Sequence, residues 1–218
     1  MQIICPRPAA LMTINRVTCP ENLGQVQRIG LARAGGIGFD AAAVPGVGGP
    51  IDDLAAWTAA LAALNDDKIV ITPYLESFVI PEAAAITEGG GDNTTVDGVE
   101  RVLGAGAITV TAILAQVPVS IIDQIRDLMG EQALTVYLFN QYGQIVARDT
   151  TPAALEDAKV YKGIPIASLF CPYPANNGLN TIDKATLRFA FAEDWAKNRA
   201  IITPAFNLKT ELLAPAAA

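Results

Sequence analysis

Hydrophobic and polar positions alternate along several short stretches of this chain, and a repeat of two residues predicts β-strands. The clearest alternation lies in residues 107–117 and 183–192. The apolar positions of these two stretches, which we expect to face a core, are Ile108, Val110, Ala112, Leu114, Leu187, Phe189 and Phe191. Further segments of β-forming residues are 21–33, 68–72, 74–80, 133–140, 144–148 and 164–171.

Prolines and glycines interrupt this pattern at defined places. Pro73 separates two predicted strands and so predicts that one of them is an edge or bulged strand, and Pro165 favours an edge position for its own strand. Residues 34–50 and 104–106 are rich in glycine, and we expect both to be irregular. Gly143 predicts the turn of a β-hairpin between residues 133 and 148.

Two segments show the helical repeat instead. Residues 51–64 begin with Asp53 as a helix-capping carboxylate, and residues 120–129 follow Pro118, which suits the first turn of a helix. The apolar stripes of the two predicted helices are Leu54, Trp57, Leu61 and Leu64 in the first, and Ile121, Ile122, Ile125 and Leu128 in the second.

A long polar loop, residues 88–98, lies between β-forming segments. Loops of this length in a compact chain are usually functional or disordered. Its three consecutive glycines hold no fixed shape alone, which predicts that a neighbouring subunit completes its structure. The residues expected to form this subunit-interface loop are Glu88, Gly89, Gly90, Gly91, Asp92, Asn93, Thr94 and Thr95.

Numerous adjacent strands with few helices predict a mainly β (α+β) fold, a β-sandwich or open barrel with one or two flanking helices. We find no internal repeat and no linker, so we expect a single domain over residues 1–218. Within it we expect an N-terminal arm (1–20), a β-rich core (21–204) and a C-terminal tail (205–218).

Composition changes this picture in one respect, because hydrophobic residues make up 51% of the 218 residues and charged residues only 17%. A soluble domain usually has about 25% charged residues. No apolar run is long enough for a membrane-spanning helix, and the N-terminus lacks the pattern of a signal peptide. We therefore expect no membrane contact, synthesis in a cytosol, and extensive burial of surface at contacts between subunits.

The net charge of −7 argues against wrapping of nucleic acid, which requires clustered lysine and arginine. It is compatible with an acidic channel through which a polyanion passes without specific binding. An ordinary acidic protein would show the same charge.

Catalytic and cofactor motifs are missing from the sequence. Histidine is absent, and the three cysteines show no zinc-binding spacing. The glycines of residues 36–49 precede an acidic helix start, which disfavours phosphate. Glu88, Asp92 and Asp97 leave a hard-cation site as a minor alternative. We expect no enzyme activity, no catalytic residue, no metal and no cofactor.

Several of these features occur in an order that resembles tail-tube-type structural proteins of tailed bacteriophages and prophages. The resemblance spans about residues 21–204. The residues that carry it are Trp57, Lys68 to Pro73, Glu88 to Thr95, Asp97 and Gly98, Ala107 to Gln116, the helix after Pro118, Leu134 to Gln144, Gly163 to Ile166, and Phe189 to Trp195.

The resemblance implies hexameric rings whose inner strands line a tube. Rings would stack through the long loop and the terminal arms, other tail proteins would be partners, and DNA would pass through the lumen of a virion tail. The proline- and glycine-rich first fifty residues depart from a simple tube core, so a baseplate or collar position stays open. A second hypothesis is a capsid decoration or adhesion module that does not polymerise.

Overall fold

A curled, open β-sheet forms most of the structure, which is a computed structural model that describes residues 21–36, 38–40, 48–91, 98–151, 159–176, 178–179 and 181–213. The strands are β1 Val26–Arg33, β2 Phe39–Asp40, β3 Gly48–Pro50, β4 Ile69–Ile71, β5 Glu76–Val79, β6 Ala85–Glu88, β7 Arg101–Ala105, β8 Ile108–Ala115, β9 Leu134–Asn140, β10 Ile145–Asp149, β11 Val160–Lys162, β12 Ile164–Phe170, β13 Lys184–Phe191 and β14 Arg199–Ile202. The helices are α1 Leu54–Ala62 and α2 Val119–Asp127, and a 3-10 turn Leu128–Gly130 follows α2.

Within the described ranges, twelve strands belong to the large sheet, and β6 and β7 form a separate two-stranded sheet. The large sheet runs in the order β3, β2, β11, β10, β9, β12, β13, β8, β5, while β1 lies on the other side of β9, β4 pairs with β1, and β14 pairs with β10. The expectation of a mainly β fold with an open barrel and flanking helices is therefore confirmed.

Strand β9 lies at the centre of the fold and is buried at all seven positions. Its alternate side chains enter two different cores, Val136 and Leu138 in one and Tyr137 and Phe139 in the other. One edge of β9 pairs with β1 along its whole length. The other edge is shared, because Leu134 to Val136 pair with β12 and Leu138 and Phe139 pair with β10.

The first core fills the inside of the curl. It contains the alternating apolar positions expected for β8 and β13, and Ile122 and Ile125 of α2 pack into it. Residues 69–79 draw the edges of the curl together, because Thr72 and Leu75 donate backbone hydrogen bonds to β1 and Glu76 pairs with Ile113 of β8.

The second core lies on the outer face of β1, β9 and β10. Trp57 of α1 is fully buried there, stacks on Phe39 at 4.4 Å and donates its indole N–H to the Ile51 carbonyl at 2.7 Å. Leu208 and Leu212, from the segment expected to be a tail, are buried in the same core.

The buried guanidinium of Arg28 donates to the carbonyls of Leu208 and Leu212. Burial lowers the pKa of Arg28.

Most of the predicted elements are confirmed within two or three residues. The hairpin β9–β10 turns at Gly143, whose φ is +75°. In α1, Asp53 caps the helix as expected, accepting from the Ala55 N–H at 3.0 Å, but the helix ends at Ala62. Leu64 is therefore 96% exposed and does not extend the apolar stripe.

Three expectations about irregular or edge positions are wrong. β12 is an interior strand, because it pairs with both β9 and β13. Pro165 lies opposite Thr135 of β9, and the pairing of β12 with β13 begins one residue later, at Ile166. Gly104 and Ala105 belong to β7. Residues 34–50 contain β2 and β3, whose short pairing the glycine content conceals.

Cys171 is buried as a free thiol, and burial raises its pKa. None of the helices in the described ranges has the length and apolar content needed to cross a membrane.

Candidate assembly interface

Strands β6 and β7 pair antiparallel with each other and with no other strand among the described residues. We call residues 85–105 the ribbon. Ile86 lies opposite Gly104 and Thr87 lies opposite Val102, which leaves Leu103 as the extra residue of a bulge. Successive residues of a strand point to opposite faces, so Ile86 and Val102 lie on opposite faces of the ribbon.

The ribbon is exposed along nearly all of its described length. All four residues of β6 and the first three residues of β7 are exposed. Its large apolar side chains keep more than half of their area in solvent: Ile86 51%, Val99 66%, Val102 67% and Leu103 57%. Apolar side chains are therefore presented on both faces of the same two-stranded element.

The base of the ribbon is fixed to the body of the protein. The Gly106 N–H donates to the Ala84 carbonyl at 2.8 Å, and the Ala105 N–H donates to the Glu193 carboxylate at 3.0 Å. Ala83 packs against the first core just before β6 begins. These contacts determine where the ribbon leaves the body.

The far end of the ribbon contains the loop that the sequence singled out. Of the eight residues expected at the interface, Glu88 ends β6, and Gly89, Gly90 and Gly91 follow it with φ angles of +80°, +102° and +74°. These angles favour glycine. The Gly91 N–H donates to the Gly98 carbonyl at 3.0 Å, so backbone pairing continues beyond β6 and β7.

The other four expected residues, Asp92, Asn93, Thr94 and Thr95, lie outside the described residues. Asp97 also lies outside them, so the minor alternative of a cation site at Glu88, Asp92 and Asp97 stays a prediction. The described residues hold no group of three or more carboxylate, cysteine or histidine side chains placed to hold a metal ion.

Acidic residues outnumber basic ones in the sequence of residues 88–101. Glu88 lies directly opposite Arg101 in the ribbon, a cross-strand arrangement of opposite charges that stabilises pairing. Glu100 is exposed beside them. Residues 88–101 contain four carboxylates, Glu88, Asp92, Asp97 and Glu100, against one guanidinium.

A two-stranded ribbon is marginally stable by itself in water, and exposed strand edges favour pairing with another chain. Exposed apolar residues on both faces add area that a partner can cover. The ribbon is therefore suited to binding another protein chain and not to a reaction on a bound small molecule.

The sequence predicts an interface at residues 88–95 but does not predict β6 and β7, the strands on either side of it. Residues 85–88 are short, and residues 104–106 were expected to be a break. One signal could have revealed the ribbon, because both flanks of the loop are β-forming. Val99, Val102 and Leu103 stand at the helical spacing i, i+3 and i+4, so periodicity does not identify β7 as a strand.

Comparison with known proteins gave one structural match. No protein-family model matches the chain, and no curated protein matches it. Among solved structures, the chain is similar to a component of the tail of an empty GTA particle with C6 symmetry, with 14% identity and a TM-score of 0.30 over 60% of this chain and 82% of that chain. A TM-score this low does not establish a common fold.

Proposed function

We propose that this chain is a structural protein of a phage-type tail, specifically a tail-tube subunit that assembles into stacked, hexameric rings around a channel for DNA. The observation that carries the proposal is the ribbon, an exposed two-stranded element with apolar side chains on both faces. A monomer gains nothing from such an element, whereas an assembly buries it.

The body of the protein supports the same proposal. A curled sheet with a central strand buried on both faces is a rigid platform from which the ribbon projects. Exposed apolar residues also occur elsewhere, including Tyr173, Leu179 and Leu213. The low content of charged residues agrees with a surface that neighbouring subunits cover.

The net charge of −7 agrees with passage of DNA through the assembly without specific binding. Under this proposal the protein is not an enzyme, needs no cofactor, and has other copies of itself and other tail proteins as its partners. Its place is the tail of the virion.

The test is electron microscopy of the purified protein and of a variant that lacks residues 89–95. We expect tubes or rings from the wild type and a folded, unassembled protein from the variant, with folding checked by circular dichroism. Tubes from the variant that match those of the wild type would contradict the role of this loop.

A second candidate is a decoration or adhesion module that shares the fold but does not polymerise. Its ribbon would contact a different protein. Size-exclusion chromatography with light scattering separates the two, because this candidate predicts a monomer of 22.8 kDa or a small closed oligomer at high concentration.

A further inference from the structure

A second exposed apolar surface lies on the body of the protein, away from the ribbon. It is an open cleft lined by residues 116–119, 173–174 and 181–183. We call these residues the cleft. Three of its apolar side chains keep much of their area in solvent: Val119 54%, Tyr173 55% and Ile182 38%. Like the ribbon, the cleft therefore offers apolar area that a partner can cover.

The cleft and the ribbon lie at opposite ends of the strand pair β8 and β13. The ribbon joins the body just before β8 begins, and its base is held by Glu193, just after β13 ends. At the other end, Gln116 follows β8 and donates its N–H to the carbonyl of Asp183, which precedes β13. β8 has eight residues, and a strand rises about 3.3 Å per residue, so roughly 25 Å separates the two surfaces.

The side chains of the cleft are held in position before any partner binds. The guanidinium of Arg126 lies 4.1 Å from the centre of the Tyr173 ring and donates to the Cys171 carbonyl at 2.9 Å. Pro118 and Pro174 restrict the backbone on either side of the cleft. A surface that is already ordered loses little conformational freedom when it is covered, which favours binding.

We infer that the cleft receives the ribbon of a second copy of this chain. The inference rests on the proposed function, because it names the surface that the ribbon meets. The ribbon has exposed apolar side chains on both of its faces, with Ile86 on one and Val102 on the other. A cleft can cover both faces of a two-stranded element, whereas a flat surface covers only one.

The charges on the two surfaces are complementary. Asp183 is exposed in the cleft and Arg101 is exposed on the ribbon, and neither forms an ion pair with any described residue. The ribbon also carries Glu88 and Glu100, and Arg126 lies beside the cleft. Opposite charges are therefore available on each side, which favours a defined orientation of the contact.

The area of one contact determines the kind of assembly. Burying a whole Val, Leu or Ile side chain removes roughly 60–120 Å² of apolar surface from water, so the seven half-exposed side chains of ribbon and cleft supply roughly 250–450 Å². A stable pair of proteins buries about 1,200 Å² or more. One contact is therefore weak, and assembly requires that each copy both inserts its ribbon and receives another. Because ribbon and cleft are different surfaces, the contact is head-to-tail and joins copies in succession instead of forming a twofold dimer.

The first experiment removes the apolar side chains of the cleft. The cleft variant carries Tyr173→Ser and Ile182→Ser. Tyr142→Ser is the matched control, because Tyr142 is 57% exposed but lies in the β9–β10 turn, outside both surfaces. Assembly is measured by sedimentation velocity over a concentration series, and folding by circular dichroism. We expect the cleft variant to need a concentration at least about tenfold higher for assembly, and the control to match the wild type.

The second experiment tests the contact directly by cross-linking. One variant carries Val102→Cys on the ribbon and another carries Ile182→Cys in the cleft, both with Cys5→Ser and Cys19→Ser, while the native Cys171 is buried. A short bis-maleimide is added to each variant alone and to their equimolar mixture. We expect cross-linked dimers in the mixture and none in either variant alone. This result decides the inference even if the cleft variant does not fold.

Assembly of the folded cleft variant at the wild-type concentration would overturn the inference, leave the proposed function standing, and leave the cleft to a different partner. A mixture that assembles without cross-linked dimers would overturn the inference as well. A wild-type protein that stays monomeric at all concentrations would overturn the proposed function itself, and the inference with it.

Discussion

Replacing the apolar side chains of the ribbon by threonine should abolish assembly and leave the fold intact. The variant carries Ile86→Thr, Val99→Thr, Val102→Thr and Leu103→Thr. Threonine keeps the β-propensity of these positions, so the ribbon itself should persist. In the free protein these side chains already lie half or more in solvent, so each substitution should change the free energy of unfolding by no more than about 0.5 kcal/mol.

The effect on assembly follows from the exposed fractions, which range from 51% to 67%. Burying a whole Val, Leu or Ile side chain stabilises by about 1.5–3 kcal/mol, so covering the exposed part contributes about 1–2 kcal/mol per residue. Four residues give about 4–8 kcal/mol per contact. That corresponds to a loss of at least about 1,000-fold in the association constant.

The assay is size-exclusion chromatography with light scattering over a concentration series, combined with negative-stain microscopy. Leu64→Thr is the matched control, because Leu64 is 96% exposed but lies outside the ribbon. Assembly of the fourfold variant at the wild-type concentration, with its fold intact, would show that the ribbon is not buried in the assembly. Loss of assembly in Leu64→Thr would show that the effect is not specific to the ribbon.

Three further changes test the body of the fold. Gly163→Ala should lower the free energy of unfolding in urea by about 1–3 kcal/mol, because the added Cβ would lie 2.5 Å from the Thr135 hydroxyl. Gly104→Ala is its control and should be nearly neutral, because a Cβ there meets nothing within 4 Å. Arg28→Met should leave the carbonyls of residues 208 and 212 without their donor, destabilise by about 2–4 kcal/mol and speed hydrogen exchange of residues 205–213. Burial raises the pKa of Tyr137 above its unfolded value of about 10. The stability that the buried phenol contributes is therefore complete below about pH 10 and is lost as the pH rises towards the folded-state pKa. Tyr137→Phe should reduce the loss of unfolding free energy above pH 10 by up to about 1.4 kcal/mol per pH unit, and an unchanged slope would contradict this assignment.

The elements that the sequence predicted correctly are those whose signal is local. β8 and β13 are long enough for four alternating positions to stand out, and α2 has a complete amphipathic repeat. The hairpin β9–β10 has a glycine at its turn, with φ of +75°, which a short-range rule recognises. The three glycines Gly89, Gly90 and Gly91 follow β6 with positive φ angles, while the role of this loop at a subunit interface stays a prediction.

The elements that it missed depend on pairing between distant residues. β2, β3 and β11 contain two or three residues each, too few for a periodic pattern, and exist because partner strands supply their hydrogen bonds. Pro165 predicts an edge strand, yet β12 is interior, because Ile164 to Ile166 pair with β9 and Ile166 to Phe170 pair with β13. The segment expected as a tail carries leucines whose burial only the second core reveals.

By itself, the sequence determined that this protein is mainly β, poor in charge, and equipped with a glycine-rich loop between β-forming segments. The tertiary structure decided that the loop ends a projecting ribbon with apolar residues on both faces. It also decided that Arg148 lies between Lys162 and Arg199 on neighbouring strands, because strand register joins residues that lie up to 51 positions apart in the chain. Periodicity records which face of an element is apolar, whereas only the pairing of strands determines which residues become neighbours.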